Sequence, residues 1–504
     1  MSKLLTAIIL ILISIPIFSQ SKLSVNKGQS TSILQSQRAK KVDEIIAKYH
    51  EYNLFNGSVL IFKDGKELLK KSYGKANLTW NIDATAETKF RIGSITKQFT
   101  AMLIMQLKQE GKIKLEGKLS DYLPWYNQTV GSKITIHNLL THTSGLPNYT
   151  SSPNFPNQMA KENLSPKDFA VKYFQDTLEF EPGKDIRYSN TGYYLLGLII
   201  EEITKKPYEI VLQERIFDVL GMKNTGIETP YRIIANFAEG YELDFDGFEK
   251  ADFINMKTAT YSAGAMFSTV EDLLLWDTAL YTNILLNEEN KRIMFTPFLP
   301  NYAYGIAVLK KKNFLGLNKD ITQILHGGGI QGFSSFMTRI PEDKILIVLL
   351  DNTRAGTRGG ELESIVENII PVIYDLKADL PQPLAVFELY KLLKTKSLAQ
   401  AITQFKETKN INKNAYNFRN FESDLNRLGY KFLLEKKISS AIEILRLCVE
   451  EFPNSANAYD SLGEAYLENR DYELAIANYE KSLQLDSNNE NAKLMIQKIK
   501  ERKQ

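Results

Sequence analysis

Cysteine is nearly absent from this chain: Cys448 is the only one in 504 residues. No intramolecular disulfide can form, so packing has to supply the stability. Histidine is scarce too, at four residues, His50, His137, His142 and His326. With no His-Glu-x-x-His pair and no Cys-x-x-Cys, a zinc site lacks a ligand set. No metal and no cofactor is expected. His137 and His142 are five apart, which fits neither one helical face nor a ligand pair, and they read as structural. An excess of one charge is also missing. Sixty-two basic against 59 acidic residues leave +3, without the strong field that nucleic-acid binding needs, so no nucleic-acid partner is expected. Finally, the apolar run over residues 4–18 is short of the ~20 residues a membrane span requires.

That run does carry the marks of an export signal. Lys3 precedes it, Pro16 breaks it near its end, and Ser19-Gln20-Ser21 follow. Residues 1–20 are therefore predicted to be a signal peptide, with a periplasmic or secreted product and no stable membrane span after its removal. The other reading of the run is an uncleaved anchor. No cysteine stands near the cleavage point to take a lipid. Residues 21–40, rich in Ser, Gln and Lys, read as a linker.

The whole chain is 43% hydrophobic and 24% charged, enough for more than one core. Helical spacing over 42–50 is followed by strand patterns at 57–62 and 67–73 around Asp64-Gly65, a hairpin signal. Residues 94–109 are apolar on most sides, as in a helix inside a domain. Up to about residue 253, helical patterns such as 134–140, 191–203 and 208–220 alternate with Pro and Gly, and the stretch reads as a helical insertion. Strand character returns at 302–309, 332–340 and 344–350.

Beyond Pro371 the composition turns helical and lysine-rich. Leu428 and Leu462, Gly429 and Gly463, and Ala441 and Ala475 are each 34 apart, and Phe432 matches Tyr466. This period resembles the tetratricopeptide repeat, whose small residues let paired helices approach closely. Two repeats are fewer than the usual ~3, so the tail is expected to lean on helices over 385–405 or on the preceding domain, with 491–500 as a capping helix. The predicted division is 41–375 for an enzyme domain, 376–424 for a helical connector and 425–504 for the repeats. The repeats either offer a surface to a protein partner or serve only as packing.

Ser-x-x-Lys occurs at Ser19, Ser24, Ser72 and Ser94. The first lies in the export signal, the second in the linker and the third at a strand end. Only Ser94 opens the inner helix, where free backbone N–H groups and the helix dipole favour negative charge on its oxygen. Lys97 lies one turn away on the same face, and desolvation would lower its pKa and let it take part in proton transfer. A lone serine at this place is equally an ordinary N-cap. Two further signals turn the balance: Tyr188-Ser189-Asn190 before a helix, and His326-Gly327-Gly328-Gly329 before a strand. A second Tyr-x-Asn, at Tyr281-Thr282-Asn283, has no such neighbours.

The order Ser94-Ile95-Thr96-Lys97, Tyr188-Ser189-Asn190, His326-Gly327-Gly328 resembles the three-part active site of class C beta-lactamases, D-alanyl-D-alanine peptidases and related esterases. The stretches His137-Asn138-Leu139-Leu140-Thr141-His142-Thr143-Ser144-Gly145-Leu146-Pro147 and Tyr261-Ser262-Ala263-Gly264, leading to Asp272 and Trp276, fit the same family. The resemblance spans about residues 40 to 375. It implies an α+β fold, an antiparallel sheet flanked by helices with a helical subdomain, the site lying in the groove between, followed here by the all-α tail. It also implies roles: Ser94 as nucleophile, Tyr188 as general base with Lys97 holding its pKa down, and Asn190 positioning substrate or Lys97. The N–H groups of Ser94 and Gly329 would form the oxyanion hole, beside Gly328 and His326. The absence of Gly-x-Ser-x-Gly excludes the alpha/beta-hydrolase elbow.

One position departs from that pattern. Efficient beta-lactamases and transpeptidases place Lys before Thr-Gly where this chain has His326, and a mostly neutral histidine attracts a substrate carboxylate less. The expected activity is thus that of an esterase or D-alanyl peptidase on a small acyl substrate or peptide, with weak or no beta-lactamase activity. The rival is a non-catalytic sensor of cell-wall peptide or beta-lactam that signals through the tail.

Overall fold

The computed structural model describes residues 37–174, 177–298, 301–354 and 361–503. The predicted export signal and most of the predicted linker lie outside the described residues. Among the described residues no helix is long and apolar enough to cross a membrane.

The first helix, α1 (Gln37–Glu51), buries Val42, Ile45, Ile46 and Tyr49 along one stripe, the i, i+3, i+4, i+7 pattern of a helix lying on a sheet. The hairpin follows as β1 (Gly57–Lys63) and β2 (Lys66–Tyr73). Its turn residues Asp64 and Gly65 both take positive φ, 51° and 77°, as an Asp-Gly pair allows and a two-residue hairpin needs. The inner helix is α2 (Thr96–Gln109), and α3 (Asn190–Thr204) and α4 (Val270–Leu280) pack around it. Between α3 and α4 the insertion contains strands that its Pro and Gly punctuation concealed, among them β3 (Tyr241–Asp244) and β4 (Gly247–Lys250).

The sheet is completed by β5 (Ala307–Lys311), β6 (Ile321–Ile330), β7 (Phe333–Ile340) and β8 (Ile345–Asp351). Its order is β5-β6-β7-β8-β1-β2, antiparallel throughout. The N-terminal hairpin thus closes onto a set of four strands, pairing with β8 almost three hundred residues away. Alternation along the central strands divides the core in two. Leu60, Leu346, Val348 and Leu350 face the cluster built on α2. Val59, Ile61, Ile347 and Leu349 face α1 and α5 (Glu361–Ile373), as the period of two requires.

The strand expected over 302–309 begins only at Ala307. Gly305 has φ 74°, and a Cβ there would stand 2.6 Å from the Lys97 carbonyl oxygen. The chain turns at that point to pass close to α2 instead of extending. A two-residue strand, β9 (Thr353–Arg354), runs parallel to β3.

The C-terminal region is all helical: α6 (Ala385–Thr395), α7 (Leu398–Ile411), α8 (Phe421–Leu434), α9 (Ile438–Glu451), α10 (Ala456–Glu468), α11 (Tyr472–Leu485) and α12 (Glu490–Lys503). A Cβ on Gly429 would stand 2.6 Å from Leu445, and one on Gly463 3.0 Å from Tyr479, so each repeat glycine marks a close helix pair. The tail leans both on α6 and α7 and on the sheet-bearing region that precedes them. Phe245, at the tip of the β3–β4 hairpin, is buried in the tail's core, with the Arg427 guanidinium 4.5 Å above its ring. Around it Lys431 reaches Asp244 and Asp246, at 3.1 and 2.8 Å, and Lys394 reaches Asp246. Ion pairs that stay partly open to solvent contribute little each, so the phenylalanine carries most of the docking. Phe245→Ala is expected to lower stability by about 3 kcal/mol and to speed proteolytic release of the tail, read by thermal unfolding and limited proteolysis.

Candidate active site

Ser94 lies in a single 3-10 turn, Gly93–Ile95, which leads into α2. It is thus a turn ahead of the α-helix and not at its N-cap. Gly93 has φ 49°, and a Cβ on it would stand 3.0 Å from the Gly329 nitrogen and 3.2 Å from the Gly328 carbonyl carbon. Glycine there admits left-handed backbone and close approach together, and the turn lies directly against β6. On that strand, residues 321–325 pair with β5, while residues 326–330 run on past its end, paired only with β7 among the described residues. The Ser94 and Gly329 backbones are therefore neighbours at an open strand edge.

Lys97 and Tyr188 close on Ser94 from two sides. Lys97 Nζ stands 3.0 Å from Ser94 Oγ, and Tyr188 OH donates to the same oxygen at 2.8 Å. Lys97 is wholly buried, with no carboxylate among its hydrogen-bond partners. Its other two contacts are Asn190 Oδ1 at 2.8 Å and the Ala263 carbonyl at 2.7 Å. Burial pushes the amine well below its usual 10.5. A neutral amine has two N–H bonds and one lone pair. In that form, with both N–H bonds directed to Asn190 Oδ1 and the Ala263 carbonyl, the lone pair would face the Ser94 hydroxyl.

The Tyr188 phenol is pushed the other way, above 10, by burial, against the pull of its bond to Ser94. It remains 42% exposed, so this push is weaker than on the enclosed Tyr193. The upward direction runs against the expectation that a lysine field would hold the phenol down, because burial outweighs the opposing pull.

Asn190 opens α3 and is itself held: its Nδ2 donates to Thr150 Oγ1 at 2.9 Å, and its backbone N–H to Asn148 Oδ1 at 3.0 Å. His326 is buried, with Nε2 3.1 Å from Tyr302 OH and Nδ1 2.6 Å from the Gly327 carbonyl. Burial first, and then the nearby Lys97, bring its pKa down to about 4, so it is neutral at physiological pH. Gly328 cannot be anything larger, since a Cβ would stand 2.1 Å from the Ile92 carbonyl oxygen.

Ser94, Lys97, Tyr188, Asn190, His326, Gly328 and Gly329 are thus gathered in one place. Tyr281 is elsewhere, stacked with the Arg339 guanidinium 4.2 Å from its ring. His137 is a structural residue bonded to Tyr304. His142, also read as structural, supports the site: its ring is 4.4 Å from that of Tyr188, and its Nδ1 accepts the Ser189 N–H at 3.2 Å. Asn148, Thr150 and Tyr302 escaped the motif reading. The first two directly follow Gly145-Leu146-Pro147 and could have been found as polar residues beside a quoted stretch. Nothing local in the sequence marks Tyr302.

Comparison with known proteins extends the picture. The family model described as Beta-lactamase matches residues 42–367, more than half of the chain, and a tetratricopeptide repeat model matches residues 456–489. Protein flp of Staphylococcus aureus (strain MW2) is 30% identical over 337 residues, 63% of this chain and 64% of its own. The chain thus spans less than two thirds of that relative. Penicillin-binding protein 4* of Bacillus subtilis (strain 168) is 27% identical over 368 residues, 69% of this chain and 79% of its own. Among solved structures, D-amino acid amidase from Ochrobactrum anthropi SV3, complexed with L-phenylalanine amide, superposes with a TM-score of 0.58 at 25% identity. That match covers 68% of this chain and 99% of the amidase. A penicillin binding protein from Bacillus halodurans gives 0.55 at 25% identity, covering 64% of this chain and 98% of its own.

Proposed function

From a chain that belongs to the beta-lactamase family, we propose an exported serine hydrolase that cleaves an ester or amide through an acyl-enzyme on Ser94. The observation that carries this reading is the Ser94 oxygen standing 3.0 Å from a buried amine and 2.8 Å from a phenol.

The protonation states give a balanced cycle. Neutral Lys97 takes the Ser94 proton as Oγ bonds to the acyl carbon, and Tyr188 gives its own proton to the departing atom. The products of this half are the acyl-serine, the Lys97 ammonium, the Tyr188 phenolate and the released alcohol or amine. In the second half the phenolate takes a proton from water, which attacks the ester. The ammonium returns its proton to Ser94 as the acid leaves. The Ser94 and Gly329 N–H groups would receive the negative oxygen of each tetrahedral intermediate.

Export rests on the N-terminal signal pattern. Esterase or peptidase activity over efficient beta-lactam turnover rests on His326, which is neutral where a fixed cation would attract a beta-lactam carboxylate. Likeness to a D-amino acid amidase and to penicillin-binding proteins supports acyl substrates in general.

A fluorophosphonate or penicillin probe should add its mass to Ser94 in the full chain and add none to Ser94→Ala. Nitrocefin should turn over far more slowly than p-nitrophenyl esters or D-alanyl peptides. An unlabelled Ser94 would favour the non-catalytic sensor, and nitrocefin turnover at the rate of a resistance enzyme would overturn the substrate preference.

A further inference from the structure

Residues 326–330 of β6 have only β7 beside them among the described residues. A strand with one neighbour is free to twist away unless its end is fixed. The place of the Gly329 N–H therefore depends on how the turn that ends the strand, Gln331-Gly332, is held.

The base of the β3–β4 hairpin holds it. The Glu242 carboxylate accepts the Gly332 N–H through Oε1 at 2.8 Å. Gly332 has φ 69°, and a Cβ on it would stand 2.6 Å from both the Gly240 carbonyl carbon and the Ala251 side chain. Those two residues close the hairpin, the Ala251 N–H donating to the Gly240 carbonyl at 3.0 Å. From another side Arg91, paired with Glu228, donates to the Gln331 carbonyl at 3.3 Å. Of the two charge-assisted bonds on the turn, the one to Glu242 is the shorter.

Three residues beyond Glu242 on the same hairpin is Phe245, in the tail's core. At about 3.3 Å per residue the two are about 10 Å apart. Between them the Leu243 carbonyl accepts Arg427 Nη1 of α8 at 3.2 Å, and just past Phe245 the Tyr390 hydroxyl of α6 donates to Asp246 at 2.8 Å. One short ladder, from Tyr241 opposite Lys250 to Asp244 opposite Gly247, thus bears the tail at its tip and the active-site turn at its base. Its other strand partner is the two-residue β9. A ribbon of this size is marginal alone, so undocking its tip loosens its base.

We infer that this hairpin is a strut by which the repeat tail holds the end of β6 in place, with Glu242 as the positioning residue that carries the support to the Gly329 N–H. Its effect on rate rests on the hydrolase reading above. The test is acylation of the full chain by a p-nitrophenyl ester under single-turnover conditions, at a temperature where circular dichroism shows every variant folded.

Glu242→Ala is expected to slow acylation about 10-fold, part of what loss of an oxyanion donor costs, with the half-saturating ester concentration changed by no more than about twofold. Glu242→Gln keeps Oε1 as an acceptor and should restore most of the rate. Phe245→Ala, away from the site, should slow acylation by a similar factor, and Phe245→Leu should recover it. The variant with both alanines should fall no more than about twofold below either single one, because both break the same strut. Amide hydrogen exchange over residues 326–333 needs no substrate, and it should quicken in Phe245→Ala. Undiminished acylation in Phe245→Ala, multiplied losses in the double variant, unchanged exchange over 326–333, or a loss that Glu242→Gln fails to restore would each overturn the proposal. Absence of a p-nitrophenol burst from the unaltered protein, with exchange still quickened in Phe245→Ala, would overturn the hydrolase reading and leave the mechanical link standing.

Discussion

Lys97→Arg is expected to slow acylation of Ser94 by about 10³-fold, close to the effect of Lys97→Met. The substitution keeps the positive charge and most of the length, yet a guanidinium cannot give up its proton and has no lone pair to accept one. If Lys97 acted only as a cation that held Tyr188 ionised, arginine would retain much of the rate. The measurement is burst release of p-nitrophenol under single-turnover conditions across pH. With the native lysine, acylation should fall as pH drops through the lowered Lys97 pKa, since protonation removes the lone pair. The same shift bears on stability with a definite sign. An amine whose pKa is lower folded than unfolded makes folding release a proton, so the unfolded state binds more protons and stability rises with pH towards 10.5. Lys97→Met should lack that part of the slope in thermal unfolding.

The elements that the sequence made legible are those whose pattern is local. The buried central strands β1 and β8, the inner helix α2 and the repeat glycines Gly429 and Gly463 all follow from periodicity or from residue size. The order of the sheet does not, because pairing of β1 with β8 joins residues 57 and 351 and no local signal encodes it. The short strand β3 was hidden for a related reason. It is held by the parallel partner Thr353–Arg354 and by the tail packed on Phe245, so its strand character is a property of the assembled fold.

At the site, the motifs marked the residues that gather around Ser94, but not how burial acts on each of them. Ser94, Lys97 and Tyr188 stand at motif positions, but whether the amine or the phenol is the stronger base depends on how completely each is enclosed. Lys97 is enclosed by Asn190, Ala263 and the aromatic rings of Tyr188 and Tyr193, 5.0 and 5.6 Å from Nζ. Those groups come from two segments far from the Lys97 helix, 188–193 and 263, which only the folded chain brings together with it.

Tyr188→Phe is expected to act differently on different substrates. An amide needs a proton on its departing nitrogen, and removing the phenol should cost acylation about 10²- to 10³-fold. A p-nitrophenyl ester departs as a stable anion and needs no such proton, so its acylation should survive nearly intact. The second half of the cycle is the same for both, since the water that releases the acid has lost its base. With the ester the variant should therefore show a full burst followed by slow turnover, and the acyl-serine should accumulate on Ser94 to be seen as added mass. The ring of Tyr188 packs at a tilt 4.4 Å from that of His142, and phenylalanine keeps that contact, so the effect isolates the hydroxyl. Equal loss of the burst with ester and amide would mean that the phenol takes the Ser94 proton itself. Lys97 would then be its electrostatic support, as the motif resemblance alone implies.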